Sequence, residues 1–125
     1  MSHSNMEKAL TIREMVEKIR VEAGTENLQP PRGADLLRTL TSLLGNLNAR
    51  IRETDMTYKK KLLQCYAQEE KANRAKIVAE TTQEYLDMRE ARDLKELAIE
   101  ITRSLKYFLR CWEEELKASQ NKYGN

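Results

Sequence analysis

The chain has 125 residues, a formal net charge of +2, 34% charged residues and 40% hydrophobic residues. This length favours one domain, and a charge so close to neutral excludes the strongly basic composition typical of nucleic-acid-binding domains. No apolar run approaches the roughly 20 residues of a membrane span, and the first eight residues lack the apolar core of a secretory signal, so a cytoplasmic protein with no membrane association is expected.

The first predicted helix covers residues 7–23. Ile12, Met15 and Ile19 recur at helical spacing, and Gly24 supplies a stop signal. Residues 1–6 are expected to be a disordered leader or a remnant of cloning, and Pro30-Pro31 indicate a linker after the helix. Because an amphipathic helix of about 17 residues is marginal alone in water, we expect it to pack on the rest of the chain.

Two much longer helices are predicted at 34–80 and 82–118, followed by a tail at 119–125. Between Gly45 and Gly124 the chain contains neither glycine nor proline, which are the strongest interruptions of a helix. Thr81, with Glu84 three residues later, has the pattern of a capping box and separates the two helices. The sequence therefore predicts an all-α single domain at 7–118, a long antiparallel helical hairpin (coiled coil) with a three-helix bundle at one end.

The predicted hairpin leaves part of its apolar stripe without a partner. A turn centred between Thr81 and Thr82 places Lys71 near Arg92, and the helix at 34–80 is too long for its partners to cover. We therefore expect a homodimer or larger assembly, or another protein partner. The predicted interface consists of apolar and aromatic side chains at Leu47, Ile51, Tyr58, Leu62, Tyr107 and Trp112. For Trp112 the alternative is a place in the core.

No set of residues suited to catalysis, cofactor binding or metal binding is recognisable. The only histidine is His3, and Cys65 and Cys111 are isolated in the sequence. A zinc site needs three or four clustered ligands, and a nucleophilic cysteine needs a base beside it. The sequence thus predicts a protein that is not an enzyme and that carries no cofactor.

Nucleic-acid binding is the alternative function. The predicted helix at 34–80 carries a local excess of positive charge that includes Arg50, Arg52, Lys59, Lys60 and Lys61. These cations could contact phosphates, but three consecutive lysines turn through about 200° on a helix and form no single stripe. An ordinary solvated helix face remains the other interpretation.

The region from about Tyr58 to Lys117 includes AETTQEYLDMREARD and ITRSLKYFLRCWEEEL. In texture it resembles small all-helical accessory proteins encoded by tailed phages and prophages. This resemblance implies an accessory or inhibitor protein that acts by binding host or phage machinery, in the host cytoplasm. It assigns no catalytic residue.

Overall fold

The computed structural model describes residues 11–123, and the regular secondary structure in this part of the chain is entirely α-helical. The all-α prediction is confirmed at this level. The predicted leader at 1–6 and residues 7–10 of the first predicted helix lie outside the described residues. The helices are α1 (Ile12–Ala23), α2 (Pro30–Gln68), α3 (Ala72–Ala79) and α4 (Gln83–Tyr123).

Helix α1 has a defined cap at each end. The backbone N–H of Glu14 donates to Thr11 Oγ1 at 3.1 Å, which fixes the start of the helix one residue after Thr11. At the other end the N–H of Gly24 donates to the carbonyl of Arg20 at 3.2 Å. The end at Ala23 agrees with the prediction.

Helix α2 begins at Pro30, within the predicted linker. A proline fits the first turn of a helix because its missing N–H has no partner there and its φ is already helical. The N–H of Gly33 donates a hydrogen bond to the carbonyl of Gln29, four residues earlier, at 2.9 Å. Beyond this turn α2 continues without a break through Gly45 and Thr54.

The helix predicted at 34–80 is two helices, because α2 ends at Gln68 and α3 begins at Ala72. Lys71, just before α3, has extended backbone angles (φ −106°, ψ 128°). The break allows Cys65 to pack with Ala75 and Ala79 in one buried cluster. In a continuous helix Cys65 and Ala75 would be separated by about 15 Å along the axis, so this contact requires the chain to turn.

Helix α4 is capped one residue later than predicted. The N–H of Tyr85 donates to Thr82 Oγ1 at 3.3 Å, whereas Thr81 Oγ1 donates back to the carbonyl of Val78 at 2.6 Å. Thr82 is therefore the N-cap, and Glu84 is not at the capping-box position. The helix runs to Tyr123, so residues 119–123 of the predicted tail are helical, while 124–125 lie outside the described residues.

The chain divides into two compact units. The terminal unit comprises the residues up to Leu43 and those from Ala98 onward. In it, α1 contacts α2 through the Glu22–Arg32 ion pair, and Gly33 of α2 lies against Phe108 and Leu109 of α4. Its buried apolar side chains are Val16, Ile19, Leu36, Leu40, Leu43, Ala98, Ile101 and Leu105.

The central unit runs from Leu44 to Leu97. Its segments of α2 and α4 are antiparallel, since residue numbers rise along one helix as they fall along the other in the contacts. Arg92 Nη2 lies 2.9 Å from Asp55 Oδ1, and Lys61 Nζ lies 3.9 Å from Glu84 Oε2. The predicted register, with Lys71 beside Arg92, is wrong, since Arg92 pairs with Asp55. The difference arises because α2 ends at Gln68 and does not continue to the turn near Thr81. The buried apolar side chains are Leu47, Cys65, Ala75, Ala79, Met88, Ala91 and Leu94.

Candidate protein-interaction surfaces

The predicted interface on α2 is largely covered by the chain itself. Leu47 is 0% exposed and belongs to the core, while Ile51, Tyr58 and Leu62 are half-buried. The Tyr58 ring packs at 5.3 Å between centroids against Tyr85 of α4, and burial raises the pKa of Tyr58. The expectation of an uncovered stripe on this side of α2 is therefore wrong at Leu47, which is buried within the chain itself.

The five cations proposed for nucleic-acid contact do not form one patch. Arg50 lines a polar groove of about 230 Å³ together with Glu53, Thr54, Thr57, Glu84 and Asp87. Lys61 lies on the same side of α2 and approaches Glu84. Arg50 and Lys61 thus lie beside acidic side chains, on a different side of α2 from the other three cations.

The remaining cations border a second, exposed strip of α2. Met56 and Leu63 are two turns apart on one side of the helix and are 59% and 68% exposed. Arg52, Lys59 and Lys60 are exposed around them, and none of the three pairs with a described residue. We call this strip the lysine face and define it as Arg52, Met56, Lys59, Lys60 and Leu63.

A second exposed apolar surface lies near the end of α4. Trp112 is 45% exposed and Leu116, one turn later, is 50% exposed. They line a groove of about 220 Å³ with Glu115 and Ser119. Glu113 and Glu115 lie on opposite sides of the apolar line, at helical angles of about +100° and −60° from Trp112. We call Trp112, Glu113, Glu115, Leu116 and Ser119 the tryptophan patch.

The exposure of the tryptophan patch follows from the limits of α2 within the terminal unit. Gly33, three residues after the start of α2, lies against Phe108 and Leu109. Beyond this contact α2 has less than one turn left to cover α4. Every described side chain from Trp112 to Asn121 is consequently exposed.

Tyr107 belongs to neither surface. Its side chain is exposed, but it precedes Trp112 by five residues and so lies about 140° away around the helix. The neighbouring Cys111 thiol raises the pKa of Tyr107. The predicted pairing of Tyr107 with Trp112 in one interface therefore does not match the geometry of α4.

Some of this could have been found in the sequence. Met56, Lys59, Lys60 and Leu63 have the spacing of one helix face, but the leucine pattern on the other side of α2 is the stronger signal in the sequence. Leu116 follows Trp112 by one helical turn in the sequence, but only the start of α2 at Pro30 shows that this part of α4 is uncovered.

Three further features bear on chemistry and location. Among the described residues, no group of three or more histidine, cysteine, aspartate or glutamate side chains is placed to hold a metal ion. Cys65 is a buried free thiol and Cys111 a half-buried one. None of the described helices combines the length and apolar character that a membrane crossing requires.

Comparison of the chain with known protein families, curated proteins and solved structures finds no match. The resemblance to phage accessory proteins stays a prediction.

Proposed function

We propose that this chain is a non-enzymatic protein-binding module that acts through the tryptophan patch and the lysine face. The observation that carries the proposal is the exposed Trp112–Leu116 pair beside its groove. Tryptophan is among the residues that contribute most to binding energy at protein interfaces, and contiguous exposed apolar surface is typical of interaction sites.

The proposed scaffold is the antiparallel hairpin with a three-helix end that the sequence predicts. The α1–α2 and α2–α4 contacts of the terminal unit support it, as do the antiparallel contacts of the central unit. A cytoplasmic role as a phage-encoded accessory or inhibitor protein, and self-association as a homodimer or larger assembly, are parts of this proposal that rest on the sequence.

Affinity capture with matched variants tests the binding function. Trp112→Ala removes the largest exposed apolar side chain of the patch, and Tyr107→Ala removes an exposed aromatic from another side of the same helix. We expect a bacterial lysate to yield a partner that wild type and Tyr107→Ala retain and Trp112→Ala loses by at least tenfold. Equal recovery by all three proteins would contradict a role for the patch.

Nucleic-acid binding is the second candidate, and it is favoured by the three cations of the lysine face, which pair with no residue in the described part of the chain. Electrophoretic mobility shift with DNA and RNA at low and moderate salt tests it. Phosphate contacts would give binding that weakens steeply with salt and is lost in Lys59→Glu/Lys60→Glu. The absence of a shift at low salt would eliminate this candidate.

A further inference from the structure

The tryptophan patch and the lysine face have the same construction with opposite charge. Each has two apolar side chains on one line of a helix, Trp112 and Leu116 in one case and Met56 and Leu63 in the other. Glutamates border the first line and lysines border the second, one on each side.

We propose that the tryptophan patch of one molecule binds the lysine face of a second copy of this chain. This inference rests on the proposed binding function and names one partner for it. The charges decide the pairing, because patch against patch would bring glutamates together and face against face would bring lysines and Arg52 together. Like charges brought together in an interface are destabilising. Only the contact between a patch and a face therefore combines the burial of apolar side chains with the pairing of opposite charges.

The dimensions of the two surfaces also match. The patch from Trp112 to Ser119 and the apolar line from Met56 to Leu63 each cover seven residue steps, or about 10 Å along their helices. Helices pack with their axes roughly 8–10 Å apart, a separation at which long side chains on both sides of the contact can reach each other. Glu113 and Glu115 can thus pair with the lysines that flank Leu63.

One acidic residue opposes the contact. Glu53 lies on the Lys60 side of α2, but it also lines the polar groove that contains Arg50. Three cations of the lysine face against this single carboxylate leave the face positive.

The contact has two consequences for assembly. Because the two surfaces differ, a single contact leaves one patch and one face free in the pair, and the assembly either closes, as a reciprocal dimer or a larger ring, or extends. A contact of about two helical turns on each side is well below the standard interface of roughly 1,600 Å². We therefore expect weak association that depends on protein concentration.

Charge reversal followed by sedimentation velocity tests the proposal. Wild type at increasing concentration in low salt should exceed the monomer mass of 14.6 kDa. Glu113→Lys/Glu115→Lys and Lys59→Glu/Lys60→Glu should each weaken self-association at least tenfold when alone. Their equimolar mixture should regain it, because every patch then meets a face of opposite charge. One chain that carries all four substitutions should also associate.

Two controls keep these results interpretable. Glu114→Lys changes the same charge as Glu115→Lys but lies on the opposite side of α4 from Trp112, so it should leave the mass distribution unchanged. Helix content measured by circular dichroism should be equal in all variants, since every substituted side chain is exposed.

A monomer mass at all concentrations in low salt would overturn the proposal, and so would a mixture of the two reversed proteins that stays monomeric. Continued self-association of Lys59→Glu/Lys60→Glu alone would equally contradict it. If self-association is absent while Trp112→Ala still loses a partner from lysate, the patch binds a different protein and the proposed function stands without this inference.

Discussion

The two units of this chain build their cores from different side chains. The terminal unit buries mainly large aliphatic residues, such as Leu40 and Leu105, whereas small residues make up more than half of the buried apolar side chains of the central unit, namely Cys65, Ala75, Ala79 and Ala91 beside Leu47, Met88 and Leu94. Large side chains stabilise by the area that they remove from water, roughly 1.5–3 kcal/mol for each fully buried leucine. Small side chains remove little area but let helices approach closely, so packing in the central unit depends on fit.

Specific contacts between helices supplement the small core of the central unit. Tyr58 packs on Tyr85, and the Arg92 guanidinium donates to both carboxylate oxygens of Asp55 at 2.9 and 3.1 Å. Tilted aromatic pairs contribute about 0.5–1.5 kcal/mol beyond their buried area. The comparison therefore predicts different responses of the free energy of unfolding to substitution. In the terminal unit it should fall most when a buried side chain is made smaller, and in the central unit when a buried side chain is made larger.

The largest effect should come from Leu105→Ala in the terminal unit. Leu105 is fully buried, so its truncation leaves a cavity and should lower the free energy of unfolding by about 2–5 kcal/mol. Leu116→Ala in the same helix is the matched control and should cost less than about 0.5 kcal/mol because Leu116 is half exposed. Urea denaturation followed by circular dichroism measures both, and equal losses would contradict the assigned core.

The complementary test fills space in the central unit. Ala79→Leu places three additional carbon atoms where Cys65 and Ala75 already pack, and should cost about 1–3 kcal/mol through forced displacement. Ala72→Leu, at an exposed position of α3, should change stability by less than about 0.5 kcal/mol. If Ala79→Leu is as well tolerated as Ala72→Leu in the same denaturation experiment, the central core is not closely packed.

The same contrast explains which parts of the fold the sequence predicted. The end of α1 at Ala23 and the course of α4 follow from strong local signals, namely Gly24 and a regular run of large apolar residues. The break after Gln68 has no glycine or proline to mark it. The break brings Cys65 together with Ala75 and Ala79, and a contact among small residues distant in sequence leaves no periodic pattern.

The candidate surfaces were less predictable than the helices. Trp112 could be named as an interface residue, but whether its side chain is covered depends on where α2 begins. The sequence predicts that start at residue 34 because Pro30 and Pro31 indicate a linker, although proline is common in the first turn of a helix. The sequence predicts an uncovered Leu47 because a continuous helix at 34–80 would be too long for its partners to cover, whereas α2 ends at Gln68.

A smaller difference between the units lies in the glycines of α2. A Cβ added at Gly45 meets no atom within 4 Å, so Gly45→Ala should raise stability by about 0.5–1 kcal/mol through higher helix propensity. A Cβ added at Gly33 would lie 3.2 Å from Phe108 Cε1. This crowding should offset the same propensity gain, so Gly33→Ala is expected to be at least 0.5 kcal/mol less stable than Gly45→Ala. Chemical denaturation of both variants measures the difference, and an equal gain would show that the Phe108 ring yields freely.

The smallest expected effect concerns the ion pair between α1 and α2. The hydrogen bond from Arg32 lowers the pKa of Glu22, and the charge of Arg32 adds to this effect. Because the folded-state pKa lies below the unfolded one, the stabilisation is present at neutral pH and is lost as the pH falls through the folded-state pKa. Both side chains are partly exposed, so Glu22→Gln should lower Tm by only about 1–2 °C at pH 7 in low salt.

Glu26→Gln, at an exposed position between the same helices, is the control. Thermal melts from pH 7 to pH 3 should show the Glu22→Gln deficit vanish in acid, and a deficit independent of pH and salt would mean that Arg32 does not act on Glu22 through its charge.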